Sequence, residues 1–235
     1  MKRLTSAVLG LGLGLLLLLP AGCNNRNQVT YSGLEAGTVR SGVFTTDDGI
    51  QMNIVGNEGK YDVTTDRRVL VKYTTYPVTD AANIDIDLLT LWDAQPVASV
   101  PAATISDNTV DTPVRIANAW LHAGYLNLLA TLAGEDISRH TLQAAYTVSA
   151  DGIVLRLFHD GTADPTATSD KVTDLFACMP LEEAIQAYKH YYQTMGKEPV
   201  FPIPVLLQWT WYVLASDGPV TLYERKGTYT PSAAK

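Results

Sequence analysis

Apolar and polar residues alternate through most of the chain, the spacing of strands that bury one face and wet the other. Val39 and Val43 open the pattern around Arg40 and Gly42. Thr46-Asp47-Asp48-Gly49 then leads into Ile50, Met52 and Ile54 on one face. An Asp-Gly turn between alternating runs predicts a hairpin. Val69, Val71 and Tyr73 form a second stripe against Arg68, Lys72 and Thr74, and Ile84, Ile86 and Leu88 form a third with Asp85 and Asp87 outward. So many strands within about 70 residues predict a small barrel or sandwich.

Pro96, Pro101 and Pro113, set among Ala, Thr, Ser and Asp, mark a domain boundary within residues 95–113. Beyond it, strands over 114–121 and 125–132 flank the turn His122-Ala123-Gly124. Gly134-Glu135-Asp136 reverses the chain into a strand over 139–148, and Ser149-Ala150-Asp151-Gly152 turns it into Ile153, Leu155 and Leu157. Turns at this spacing predict an antiparallel meander of the kind that builds a sandwich. A polar loop follows over 160–174. One helix is predicted near 180–195: Pro180 suits its first position, Glu182 and Glu183 its positive end, and Gly196 its stop. Leu181, Ile185, Tyr188, Tyr192 and Met195 share one helical face, which reads as core packing. Two last strands, 206–214 and 220–226, flank Ser216-Asp217-Gly218-Pro219.

The N-terminus has a different pattern. Lys2 and Arg3 precede an apolar run over 7–19 that ends in five leucines. A charged start before so short a run is the design of an export signal, and a bilayer-crossing helix needs about 20 apolar residues. Pro20-Ala21-Gly22-Cys23 comes next and resembles a bacterial lipobox, with Pro20 where the usual pattern has leucine. The expectation is a signal peptide over 1–22, a lipid on Cys23 that holds the chain to a membrane, and a polar tether over 23–36.

Charge and cysteine usage narrow the function. Of the 17 Lys and Arg residues, Lys2 and Arg3 leave with the signal, so 15 remain against 24 acidic residues, a balance of −9. That balance argues against a nucleic-acid partner. With Cys23 taken by the lipid, Cys178 has no partner for a disulfide within the chain, so the fold must rest on its core. Cys178 lies in the apolar run Leu175-Phe176-Ala177-Cys178-Met179 and reads as a buried thiol.

The run Ala119-Trp120-Leu121-His122-Ala123-Gly124-Tyr125-Leu126-Asn127-Leu128 resembles the NigD-like lipoproteins of the Bacteroides group, in which a tryptophan strand meets a Gly-Tyr-Leu-Asn-Leu strand. Asp48-Gly49 and the strand from Val69 to Tyr73 fit as well, and the resemblance spans about residues 38–229. It implies an OB-like β-barrel domain over 37–106 and a β-sandwich domain over 107–229, on an outer-membrane lipoprotein. The namesake was proposed as a bacteriocin-operon component, an immunity factor, and the family has no established biochemical activity. Fold likeness to nucleic-acid binders does not transfer their function. Trp120 and Asn127 read as architectural, Trp120 filling the inter-sheet core and Asn127 bonding a neighbouring loop.

No catalytic or metal site emerges. His122, His140, His159 and His190 are nowhere three to five residues apart, and no nucleophile elbow, phosphate loop or His-Glu-x-x-His occurs. His159-Asp160 is the best single candidate for metal or acid–base work. Trp92, Trp120, Trp209 and Trp211 sit in strand-like runs and read as core. The expectation is a non-enzymatic binding or accessory protein of the envelope, without cofactor, lipid-anchored to the outer membrane on its periplasmic side, since Asn24-Asn25-Arg26-Asn27 carries no acid. Its partner would be an envelope protein or glycan. The alternative is a glycan or peptide hydrolase with an unrecognised site.

Overall fold

A computed structural model describes residues 31–76, 84–166, 171–212 and 220–231. The signal 1–22, Cys23 and the turn 216–219 lie outside the described residues. The first strands are β1 (Ser32–Arg40), β2 (Val43–Thr46), β3 (Gln51–Gly56), β4 (Arg67–Thr75) and β5 (Ile84–Pro96). Pairing therefore starts at Ser32, inside the stretch 23–36 expected as tether. β1 pairs with β2 and β4, β4 with β5, and β3 with both β2 and β5, so the five strands close on themselves. Val39, Phe44, Val69, Val71 and Ile86 are fully buried inside the ring. At the closing pair Gly56 lies opposite Asp87 of β5, whose carboxylate occupies the space a Cβ would take.

β5 is 13 residues long and belongs to both halves. Its start completes the ring, and its end pairs in parallel with β11 (Val172–Pro180). β11 continues the sheet through β8 (Tyr125–Ala133) to β7 (Arg115–His122). A second sheet runs β13 (Val220–Tyr229), β12 (Ile203–Tyr212), β10 (Gly152–Asp160), β9 (Thr141–Ser149) and β6 (Ala98–Pro101). Leu126, Leu128 and Met179 of one sheet meet Leu155, Leu157 and Leu207 of the other in one core. The helix α1 (Glu182–Thr194) adds Ile185, Tyr188 and Tyr192 to it.

Several expectations need correction. β8 and β9 lie in different sheets, and β10–β12, β6–β9 and β5–β11 are parallel, so the second half is no antiparallel meander. The boundary stretch 95–113 contains β6, and β5 carries one sheet across it. Residues 172–174, expected as loop, open β11. Pro180 ends that strand instead of starting the helix, which begins at Glu182. Met195 is 40% exposed, off the face formed by the helix's other apolar residues.

Candidate functional site

β5 and β11 pair only between residues 94–96 and 176–178, and before that register the two strands part. Their divergence leaves a cleft of about 480 Å³ between the ring and the second half. Ligand sites commonly hold about 300–1,000 Å³ and favour such junctions. Leu91, Trp92 and Ala94 come from β5, Leu175 and Phe176 from β11, and Ile137 from a 3₁₀ turn at Ile137–Arg139. The polar lining is Asp93, Gln95, Ser138 and Asp174. Asp93 pairs with Arg67, and Asp174 accepts from the Thr131 hydroxyl at 2.8 Å. Gln95 donates Nε2 to the His140 carbonyl at 3.0 Å and leaves Oε1 buried without a partner.

Behind the cleft, the two halves are joined by a second set of contacts. Ala36, Leu70 and Trp92 stand side by side across β1, β4 and β5 on the ring's outer face. Phe176 and Cys178 of β11 cover that row, with Trp120 stacked on Phe176 at 6.2 Å between ring centroids. Arg68 reaches into this layer. It donates to both Asp47 oxygens at 2.7 and 2.8 Å, to Asn127 Oδ1 at 2.9 Å and to Cys178 Sγ at 2.8 Å, and lies 3.9 Å over the Tyr125 ring. The bidentate carboxylate pairing is the strong geometry for guanidinium. Burial pushes the Cys178 thiol up against the opposing pull of Arg68, which favours the protonated thiol over the thiolate. Asp48 and His122 add a side-chain contact of 3.0 Å between the two hairpin turns.

Two histidines that lie 19 residues apart meet in the interior. His140 Nδ1 and His159 Nε2 are 2.8 Å apart, His140 Nε2 is 3.1 Å from Asp164 Oδ2, and His159 Nδ1 is 3.1 Å from the Thr112 carbonyl. The His140 and Asp164 side chains are each 1% exposed. These contacts tie His140, His159 and Asp164 into one buried polar trio. The Thr166 hydroxyl and N–H, at 2.7 and 2.8 Å, together with His140 hold Asp164 well below the usual carboxylate range. Burial pushes His159 below the ordinary histidine value. Gly134 has a φ of +120°, and a Cβ there would also overlap the Asp164 carboxylate.

The structure redistributes the residues singled out in sequence. Asn127 is fully buried but bonds Arg68 and Cys178, not a loop, and its Nδ2 has no partner. Trp120 is half-buried and faces the junction with Phe176, while its neighbour Ala119 enters the inter-sheet core. His159 points into the interior, where it meets His140, and Asp160 accepts from Thr162 instead. His122 and His190 lie apart from the His140–His159 pair. Among the described residues no group of three or more His, Cys, Asp or Glu forms a metal cluster, and no helix is long and apolar enough to cross a membrane. Sequence reasoning missed the cleft and Arg68, because both depend on which strands pair. A smaller groove of about 110 Å³ between β7 and β13, beside Trp120 and Arg225, has room for one small group.

A five-stranded ring sharing a long strand with a two-sheet half defines a class of β-rich protein already seen in solved structures. One is a NigD-like immunity protein from Bacteroides caccae, 18% identical, with 82% of this chain and 91% of that one covered and a TM-score of 0.57. A DUF1344 protein of unknown function from Bacteroides vulgatus is 15% identical, covers 85% and 92%, and also scores 0.57. A protein named as a lipoprotein from Bacteroides fragilis is 13% identical, covers 83% and 97%, and scores 0.55. The chain thus has the NigD-like fold, in agreement with the resemblance of its Trp120–Leu128 region (residues 120–128). No family model and no curated protein matches it.

Proposed function

We propose that the chain is a lipid-anchored, non-enzymatic binding or accessory protein of the outer membrane, facing the periplasm and meeting a protein or glycan partner at the cleft. The observation that carries this reading is the contrast between interior and cleft. His140, His159, Asp164 and Cys178, four groups with acid–base or nucleophilic potential, are turned inward and hydrogen-bonded. The cleft instead offers aromatic, aliphatic and carboxylate groups. The likeness to a protein named as a NigD-like immunity protein supports an accessory part of this kind. The ring's strand order, β1-β2-β3-β5-β4 and back to β1, supports an OB-like barrel. The shared core of the two sheets beyond it supports a β-sandwich. An acidic chain is a poor nucleic-acid partner.

A lipid on Cys23 would tie the chain to the membrane through the ring, because only seven residues, 24–30, stand between it and Tyr31, and Ser32 opens β1. The test is turnover. Incubated with envelope glycan and peptide fragments, the protein is expected to release neither reducing ends nor new amino termini. Cleavage that copurifies with the protein and disappears on substituting Asp93 or Asp174 would replace the reading with a hydrolase.

A further inference from the structure

We propose that the outer edge of β13 pairs antiparallel with the same edge of a second copy of this chain. Among the described residues three strands, β6, β7 and β13, have a neighbour on one side only. Such edges invite further pairing, and short length, proline or a bulge normally blunts them. β6 has four residues and ends on Pro101, and β7 carries a register shift between Ile116 and Asn118. β13 has none of these devices. It runs ten residues from Val220 to Tyr229 and pairs with β12 without a shift along its whole length. Beside it the sandwich is open, because the core residues Leu126 and Leu207 line the groove between β7 and β13. A second copy laid along β13 closes that side.

The occupant follows from self-complementarity. A two-fold axis makes residue i meet residue j while j meets i. In an antiparallel pair centred on Arg225, Glu224 stands opposite Lys226 of the second copy, and Lys226 opposite Glu224 of the second copy. Opposite charges directly across a pair of strands attract. Leu222, Glu224, Lys226 and Thr228 are exposed and alternate onto the outer face of the strand. Gln208 of β12, in register with Glu224, donates to its carboxylate at 2.7 Å and keeps it on that face. A lysine guards an edge against strands that offer it no acid, and a second β13 offers one. On the inner face Tyr223 stands opposite Gly227 of the second copy, where no side chain competes with the ring. Arg225 meets its own copy at the axis, and its guanidinium is drawn toward the other sheet by Asn118 Oδ1 at 3.2 Å.

The full-length protein carrying Arg225→Cys tests the pairing in isolated membranes, with the wild type, whose Cys178 is buried, as the blank. Directly opposed residues of an antiparallel pair have Cα atoms about 4.5–5.5 Å apart, within disulfide reach. Mild oxidation is expected to give a covalent dimer from Arg225→Cys. Leu222→Cys should give none, since the register sets that position roughly 20 Å from its own copy. Glu224→Lys in the Arg225→Cys background puts like charges opposite each other twice, and should slow crosslinking about three- to tenfold. Adding Lys226→Glu restores opposite charges and should bring the rate back. The pairing is overturned if Arg225→Cys gives no dimer or if Leu222→Cys crosslinks as fast. A rate that is indifferent to Glu224→Lys, or that the swap does not restore, overturns it equally.

Discussion

Arg68 holds Asp47, Asn127, Cys178 and Tyr125 at once, from a strand of the ring, and every one of those contacts lies at the junction. Its side chain is 16% exposed and that of Asp47 is 8% exposed, so removing the guanidinium leaves a carboxylate almost without water. Arg68→Leu is expected to cost about 3–5 kcal/mol in urea unfolding. Asp47→Asn in the Arg68→Leu background should recover part of that loss; independent, additive losses would mean the pair is not coupled. The histidine pair makes a second residue-scale prediction. Both His159 and Asp164 have native values below their unfolded ones, so each adds stability that is lost as pH falls. For His159 the loss begins below about 6.5, and for Asp164 below about 3.9. A second N–H on His159 points a proton at each of its ring contacts, so protonation disturbs the packing of the 2.8 Å pair. His159→Gln should therefore flatten the fall in melting temperature between pH 7 and pH 5; an unchanged slope would place that titration elsewhere.

β11 shows how alternation within one strand serves two cores. Leu175, Ala177 and Met179 enter the inter-sheet core, while Phe176 and Cys178 cover the ring. A strand buried on both faces reads as a continuous apolar run, which is why 175–179 did not announce itself as a strand by alternation. β6 escaped for the opposite reason, being four exposed or half-buried residues at an edge. The half-wet strands β3, β4 and β5 and the Asp47–Gly49 and Ala123–Gly124 turns were legible, because local chemistry alone decides them. Parallel pairing of β5 with β11 joins segments about 80 residues apart, and no local signal reports it. The cleft, made by that pairing, was illegible for the same cause. Truncations should separate the two faces. Phe176→Ala is expected to cost about 3–5 kcal/mol as a fully buried aromatic. Trp120→Ala, half-buried and stacked on Phe176, should cost about 1–2 kcal/mol. Equal losses in chemical unfolding would return Trp120 to the inter-sheet core.

At the scale of the molecule, one sheet runs from the ring into the second half, and the junction that unites them also forms the cleft. The anchoring proposal makes its own prediction: a fatty-acid analogue fed to cells should label the wild type and not Cys23→Ala, which should leave the membrane fraction. Equal labelling of the two would remove the lipid from the account. The central claim, that the cleft is where a partner docks, is reached most directly by a photo-crosslinking amino acid placed at Ser138 in living cells, with Leu222 on the outer strand β13 as the comparison site. Irradiation is expected to give a discrete adduct from position 138 that fades when Asp174 is changed to Asn. An adduct from position 222 alone, or one from 138 that is indifferent to Asp174→Asn, would contradict the claim.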